Sequence, residues 1–278
     1  MEQFEELRNF LQASKVRKEM PDMSEAHIGN HLRDVFDRMA KQSVGAHNPQ
    51  MLYSGLTSVD ESIGGLECGE MTVINGCGRT VLALHYAIQT AKETKKPVWI
   101  YSQTHSVQQI TTQLLSMLTY IPEYEIDKAR LTDRQWNNLY TAACWLKEQD
   151  IRIYDLCTNP RVLCETMEKS ETPALLILNG AVDVLMSETG WLLELGRFAK
   201  KKQCCVLFTA YDDASMPYIC EGADKILSIL LLEEDDDVCA VKETWNRYGY
   251  SGYCRLRWVP GFLCFMDESL YSEENDNV

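Results

Sequence analysis

This 278-residue sequence predicts an α/β fold: a mostly parallel sheet with antiparallel edge hairpins, preceded by a short α-helical N-terminal segment. Three observations carry that expectation. Between Met71 and Thr209, short apolar runs rich in Val, Ile and Leu alternate with amphipathic stretches of helical period, which suits parallel strands covered by helices on both faces. From Lys225 onward, strand-like runs follow one another directly, with turn residues such as Pro260-Gly261 between them, as antiparallel neighbours require. The 45% hydrophobic content is ample for one main buried core with a small appendage.

Taken in order, the first fifty residues predict two helices. Phe4, Leu7 and Leu11 recur at helical spacing in the first, and Ile28, Leu32, Val35, Phe36 and Met39 form a cleaner stripe in the second. Asp22 or Ser24 is placed to cap that second helix after Pro21, with Glu25 in its first turn. Its stripe calls for a partner surface, either on its own domain or on a neighbouring subunit. Residues 45–50 read as a linker. Strands are then expected at 71–75, 97–102, 151–154, 174–178 and 204–209, with helices to about residue 95 and over 107–119, 132–149, 160–169 and 188–201. The closing strands are expected at 225–232, 238–244, 253–259 and 262–266. The domain plan is therefore 1–50 helical, 51–268 the α/β domain, and 269–278 a polar, disordered acidic tail.

Composition narrows the function. No run approaches the about 20 apolar residues that span a bilayer, and the opening MEQFEELRNF carries acids where a secretory signal would be basic. A cytoplasmic protein with no membrane partner is expected. The eleven cysteines are scattered through apolar segments without a Cys-x-x-Cys pair, which suits reduced, buried thiols rather than disulfides or a zinc site. A net charge of −14 counts against a surface that wraps nucleic acid by neutralising phosphates.

The segment INGCGRT, residues 74–80, has the position of a phosphate-gripping turn from strand to helix. A full phosphate loop, G-x-x-x-x-G-K-[ST], curls so that several backbone N–H groups face the phosphates while lysine and hydroxyl handle charge and magnesium. Here Gly76 stands only two positions before Gly78, Arg79 replaces the lysine with a bulky planar fork, and Thr80 keeps the hydroxyl. Two readings stay open: a tight turn without ligand, or a weak anion site at a helix N-terminus.

The flanks carry more. YSGLTSVDESIGGLECGEMTVI resembles the entry to the RecA-like motor domain of DnaB-type replicative helicases, T-G-x-x-x-L-D-x-x-x-G-G-L-x-x-G-x-L-x-x-I. KPVWIYSQTHSVQQITTQLLSM, LTDRQWNNL, IRIYD, ALLILNGAVDVLM, LGRFAKKKQCCVLFTA and CEGADKILSI follow in the family's order, so the likeness spans residues 53–267. It implies a RecA-like P-loop NTPase fold, with ATP and magnesium as cofactors.

Carried over residue by residue, the resemblance implies a degenerate site. Gly76, Gly78, Arg79 and Thr80 align with the nucleotide loop, Thr104 with the glutamate that activates water, Asn179 with the magnesium-organising aspartate, and Ala210 with a sensing glutamine. A threonine is a poor general base, and a neutral amide a poor magnesium partner. Gln103 could orient a water, and Asp183 lies four positions beyond Asn179. Lys242 and Arg247, in KETWNRYG, fall where the family reaches a neighbour's nucleotide. The segments matching the DNA-gripping loops, 180–190 and 211–222, are short; the second carries Asp212 and Asp213 and no Lys or Arg, and residues 233–237 are acidic. The expectation is an ATPase-deficient helicase-like domain, holding ATP and magnesium weakly if at all. It would act as a structural or regulatory partner in DNA replication, joined to itself or to an active replicative helicase subunit, with DNA binding doubtful. The alternatives are an active ATP-dependent DNA helicase with a divergent site, and a nucleotide-sensing module that binds ATP without hydrolysis.

Other groupings point to structure. His27 and His31 lie one helical turn apart without a third ligand, and no metal site is expected from them. His85 and His105 read as partly buried structural histidines near the loop, and Lys200-Lys201-Lys202 as a helix terminus. Tyr248, Tyr250, Tyr253 and Trp258 interleave with Arg247, Arg255 and Arg257, which suits either a stacking platform for single strands or ordinary alternation on a hairpin.

Overall fold

The computed structural model describes residues 51–155, 171–180, 191–211, 222–232, 235–249, 251–259 and 261–268, with Ile28, Leu32, Glu165, Met167 and Lys169. The chain forms two compact units, Met1–Pro49 and Gln50–Val278. In the first, Ile28 and Leu32 are helical and expose 69% and 46% of their surface. The rest of the two predicted N-terminal helices, His27 and His31 among them, lies outside the described residues, as do the loops at 181–190 and 212–221 and the tail.

In the second unit the described residues run β1 (Met51–Leu52), α1 (Thr57–Ser62), β2 (Leu66–Glu67), β3 (Met71–Gly76), α2 (Arg79–Thr94), β4 (Val98–Ser102), α3 (Val107–Thr119), α4 (Glu123–Asp127), α5 (Asp133–Glu148), β5 (Ile151–Asp155), β6 (Leu175–Asn179), α6 (Trp191–Lys202), β7 (Cys205–Ala210), β8 (Lys225–Leu232), β9 (Asp235–Asn246), β10 (Tyr253–Val259) and β11 (Cys264–Asp267). Nine strands form one sheet in the order β11-β10-β9-β8-β3-β7-β6-β4-β5. Its centre is parallel, from β8 through β3, β7, β6 and β4 to β5. The other edge, β8 through β11, is antiparallel.

Alternation along the strands divides the core. Ile74, Ile100, Ile177 and Leu207 face one layer with Leu82 and Tyr86 of α2 and Ile110 and Leu114 of α3. Val73, Trp99, Leu176, Leu178 and Phe208 face the other with Leu195 and Phe198 of α6. Because both faces are covered, β6 and β7 are buried at every position and read in sequence as continuous apolar runs. The ends of α3 and α5 are written in capping boxes. The Ser106 hydroxyl accepts from Gln109 N and the Gln109 side chain accepts from Ser106 N; Thr132 and Gln135 do the same for α5. Such reciprocal caps satisfy two otherwise orphaned donors.

Several expected boundaries move. β3 runs one residue further than expected because Gly76 pairs with Ile229 of β8, which leaves only Cys77 and Gly78 before α2. β6 and β7 end on Asn179 and Ala210 themselves. β9 takes in Asp235–Asp237, so part of the acidic run is paired strand rather than loop. β11 starts two residues late because Leu263 sits at φ 44°, outside the extended region. The elements β1, α1, β2 and α4 have no counterpart in the sequence pattern. Among the described residues no helix is long and apolar enough to cross a membrane.

Candidate functional site

Four parallel strands deliver the candidate residues to one end of the sheet. β3 runs into the Gly76–Thr80 turn, β7 ends at Ala210, β6 at Asn179, and β4 at Ser102, just before Thr104 and His105. Carboxyl ends of adjacent parallel strands are where α/β sheets bind ligands. Lys242 and Arg247 are not part of this cluster. Lys242 lies exposed on β9, and Arg247 places Nη1 3.0 Å from Asp224 Oδ1, where Asp224 Oδ2 also accepts from Met71 N at the opposite end of β3.

The turn itself is tight. Gly76 (φ 91°) passes so close to β8 that a Cβ there would lie 2.1 Å from the Ile229 carbonyl oxygen. Gly78 (φ 77°) lies against the buried Phe265 ring, which a Cβ would meet at 2.5 Å. Both positions therefore require glycine. Arg79 folds back over the turn: its Nη1 donates to the Gly76 carbonyl at 3.2 Å, and its guanidinium stacks 3.9 Å from the centre of the Tyr211 ring.

Beside the turn, Asn179 is the hub of a neutral hydrogen-bonded cluster. Its Oδ1 accepts from Thr80 Oγ1 at 2.9 Å and Thr209 Oγ1 at 2.8 Å. Its Nδ2 faces Ser102 Oγ at 3.2 Å, Thr104 Oγ1 at 3.2 Å and His105 Nδ1 at 3.3 Å. Thr104 Oγ1 is also 2.9 Å from His105 Nδ1. Burial, with the Arg79 charge second, pulls the His105 pKa below its ordinary 6.5 and favours the neutral ring. His85, half-buried behind the turn, accepts from Phe265 N at 3.2 Å, and burial lowers its pKa to about 4.

The structure thus brings together Thr80, Thr104 and Asn179, and it adds Ser102 and Thr209, which sequence reasoning did not select. Strand-end hydroxyls on neighbouring strands are the signal that could have found them. Ala210 is buried and presents only a methyl, and Asp183 lies outside the described residues. The cluster contains no carboxylate, and among the described residues no group of His, Cys, Asp and Glu is placed to hold a metal. A hard dication here would meet only neutral oxygens, with both lone pairs of Asn179 Oδ1 already taken. These residues do not fit a magnesium nucleotide.

On the β10 side, the arginines of the interleaved aromatic and basic stretch are paired within the fold. Arg255 pairs with Glu268 at 3.3 Å, Arg257 with Asp235 at 3.2 Å, and the Tyr248 hydroxyl donates to Glu70 at 2.7 Å. Trp258 packs on Phe265, with ring centres 5.0 Å apart. Tyr250 lies outside the described residues.

The sheet order, the helices on both faces and the strand-end turn define a RecA-like α/β domain. Two solved structures share that fold at a TM-score of 0.71 and 15% identity, each covering 87% of this chain: a DnaB-like replicative helicase described with its interactions with primase, and an ATPase domain of which 98% is covered. The match covers 67% of the helicase chain. The RadB recombinase follows at a TM-score of 0.52 and 16% identity, covering 78% of this chain and 99% of its own. Residues 52–174 match the family model of the DnaB-like helicase C terminal domain. The replicative DNA helicase DnaB of Nostoc sp. is 27% identical over 143 residues, 50% of this chain and 16% of that protein. DnaB of Helicobacter pylori is 27% identical over 105 residues, 37% of this chain and 21% of that protein. Residues 52–174 are thus similar to a DnaB-type helicase C-terminal domain, and the matches span 16% and 21% of those curated relatives' length.

Proposed function

We propose that this chain is a replicative-helicase-like domain that does not hydrolyse ATP and acts as a structural or regulatory partner in DNA replication, joined to itself or to an active helicase subunit. The neutral cluster at Asn179 carries the proposal. Phosphoryl transfer depends on placing charge: a metal between phosphate oxygens, a cation at the loop and a base or water-orienting group opposite. Here an amide replaces the carboxylate, Thr104 cannot serve as the base, and Arg79 lies on Gly76 and Tyr211. Arg247, Arg255 and Arg257 are each paired with a carboxylate, which supports a role other than gripping DNA through this face. The role in replication rests on the relatives' names.

The test is ATP turnover by the purified chain with magnesium, with and without single-stranded DNA. The expected result is no turnover above background, unchanged in Arg79→Ala. Magnesium-dependent hydrolysis that Arg79→Ala abolishes would overturn the proposal. A rise in melting temperature with ATP, lost in Arg79→Ala and unaccompanied by turnover, would move the reading to a nucleotide sensor.

A further inference from the structure

At the other end of the sheet, two thiols far apart in sequence meet. Cys68 lies in the turn after β2, and Cys205 opens β7, 137 positions away; their sulfurs are 3.5 Å apart. The Cys205 thiol also lies 3.4 Å from the Leu66 carbonyl oxygen. Hydrogen bonds hold the two segments together on either side of the pair. Gly69 N donates to the Cys204 carbonyl at 2.9 Å, and Val206 N to the Glu70 carbonyl at 3.0 Å. We infer that Cys68 and Cys205 are a dithiol site that closes to an intramolecular disulfide when the chain meets a small disulfide such as oxidised glutathione.

The two cysteines differ in a way that assigns their roles. Cys68 is partly exposed, whereas Cys205 is buried. The S–H donated from Cys205, with the nearby Lys96 charge, lowers the Cys68 pKa, and the same contact together with burial raises that of Cys205. Cys68 is therefore the attacking thiolate. It displaces one glutathione thiolate and forms a mixed disulfide. Cys205 then gives up its proton, attacks the Cys68 sulfur and expels the second glutathione. Two protein thiols are oxidised and one glutathione disulfide is reduced to two thiols, so atoms and electrons balance. The sulfurs are already in contact, between backbone segments that are hydrogen-bonded to one another on either side. The bridge would tie the β2–β3 turn to the start of β7 and remove freedom from the unfolded chain.

The experiment treats the whole chain with oxidised glutathione, blocks remaining thiols by alkylation and maps the peptides by mass spectrometry. The expected result is a Cys68–Cys205 cross-link, a melting temperature above that of the reduced chain, and reversal of both by dithiothreitol. Cys77 and Cys144, both exposed, serve as internal controls that take glutathione without cross-linking to these sites. Cys68→Ser should abolish the cross-link and the thermal shift. A stable glutathione adduct on Cys68, or modification confined to Cys77 and Cys144 with Cys68 and Cys205 both alkylated, would overturn the inference. The mapping is read on the unsubstituted chain and does not depend on how the variant folds.

Discussion

Asn179 shows how much one side chain decides. A carboxamide has two donors and two lone pairs, and the fold surrounds this one with Thr80, Thr209, Ser102, Thr104 and His105. An aspartate could accept from the two threonines on one side, but its second oxygen would have no hydrogen to donate to the Ser102 and Thr104 oxygens that Asn179 Nδ2 faces. In Asn179→Asp the buried charge sits among hydroxyls and a neutral-favouring imidazole, with no cationic side chain among its hydrogen-bond partners. The variant should lose about 2–3 kcal/mol of stability in urea unfolding at neutral pH, and less at acid pH, where the new carboxyl is protonated. Equal stability at neutral pH would mean that the cluster is not the neutral network described. His85 sets a second residue-scale expectation. Its pKa falls from 6.5 in the unfolded chain to about 4 in the fold, with burial the main cause. A depressed folded pKa means that the neutral ring is the stabilising form. Its contribution is complete above pH 6.5 and is lost as pH falls through about 4. The linked change is at most about 3 kcal/mol. Unfolding free energies compared between pH 7 and pH 4 should fall more steeply for the unsubstituted chain than for His85→Gln, which keeps an acceptor for Phe265 N without the titration.

At the scale of elements, short pieces are held by distant partners. α1 has no side-chain cap of its own at Leu56; instead the Asp267 carboxylate at the end of β11 accepts from Thr57 N at 2.9 Å and Ser58 N at 2.8 Å. The preceding turn is tied by Asp60, which accepts from Ser54 N and Gly55 N. That gives a physical reason for the aspartate and glycine in the S-G-x-x-x-x-D stretch. The β8–β9 pair depends on Glu243, fully enclosed, which accepts from Gly252 N and Asn246 Nδ2 and lies 3.7 Å from Lys225 Nζ. Removing one member of such a pair strands the other charge. Glu243→Ala should therefore cost about 3–5 kcal/mol in denaturant unfolding, and Glu243→Gln, which keeps hydrogen bonds, distinctly less. A loss below about 1 kcal/mol in the alanine variant would show the pair to be solvent-screened.

For the whole molecule, the dominant quantity is a net charge of −14. Repulsion among excess carboxylates opposes compaction, and salt screens it within about 10 Å at 0.1 M. The melting temperature should rise as sodium chloride goes from a few millimolar to about 0.15 M, and a fall would show that exposed ion pairs such as Arg255–Glu268 outweigh the repulsion. The layered sheet was legible at this scale. The apolar runs of β6 and β7 can be satisfied only between two helical layers, and the helices expected at 107–119 and 132–149 are met to within a residue. The candidate site was legible where it lies within single segments, at Gly76–Thr80, Thr104 and Asn179. It was not legible where strands converge. Ser102 and Thr209 join the cluster because β4, β6 and β7 are neighbours in the sheet, although they lie 77 and 30 positions from Asn179 along the chain. Local pattern thus determined the long strands and helices and the short glycine turn, since periodicity and backbone freedom are properties of neighbouring residues. Tertiary structure alone decided that Arg79 lies on Tyr211, that Phe265 fills the space beneath Gly78, that Arg247 belongs to Asp224, and that Cys68 meets Cys205. Each is a contact between residues far apart in the chain, and only sheet order brings such residues together.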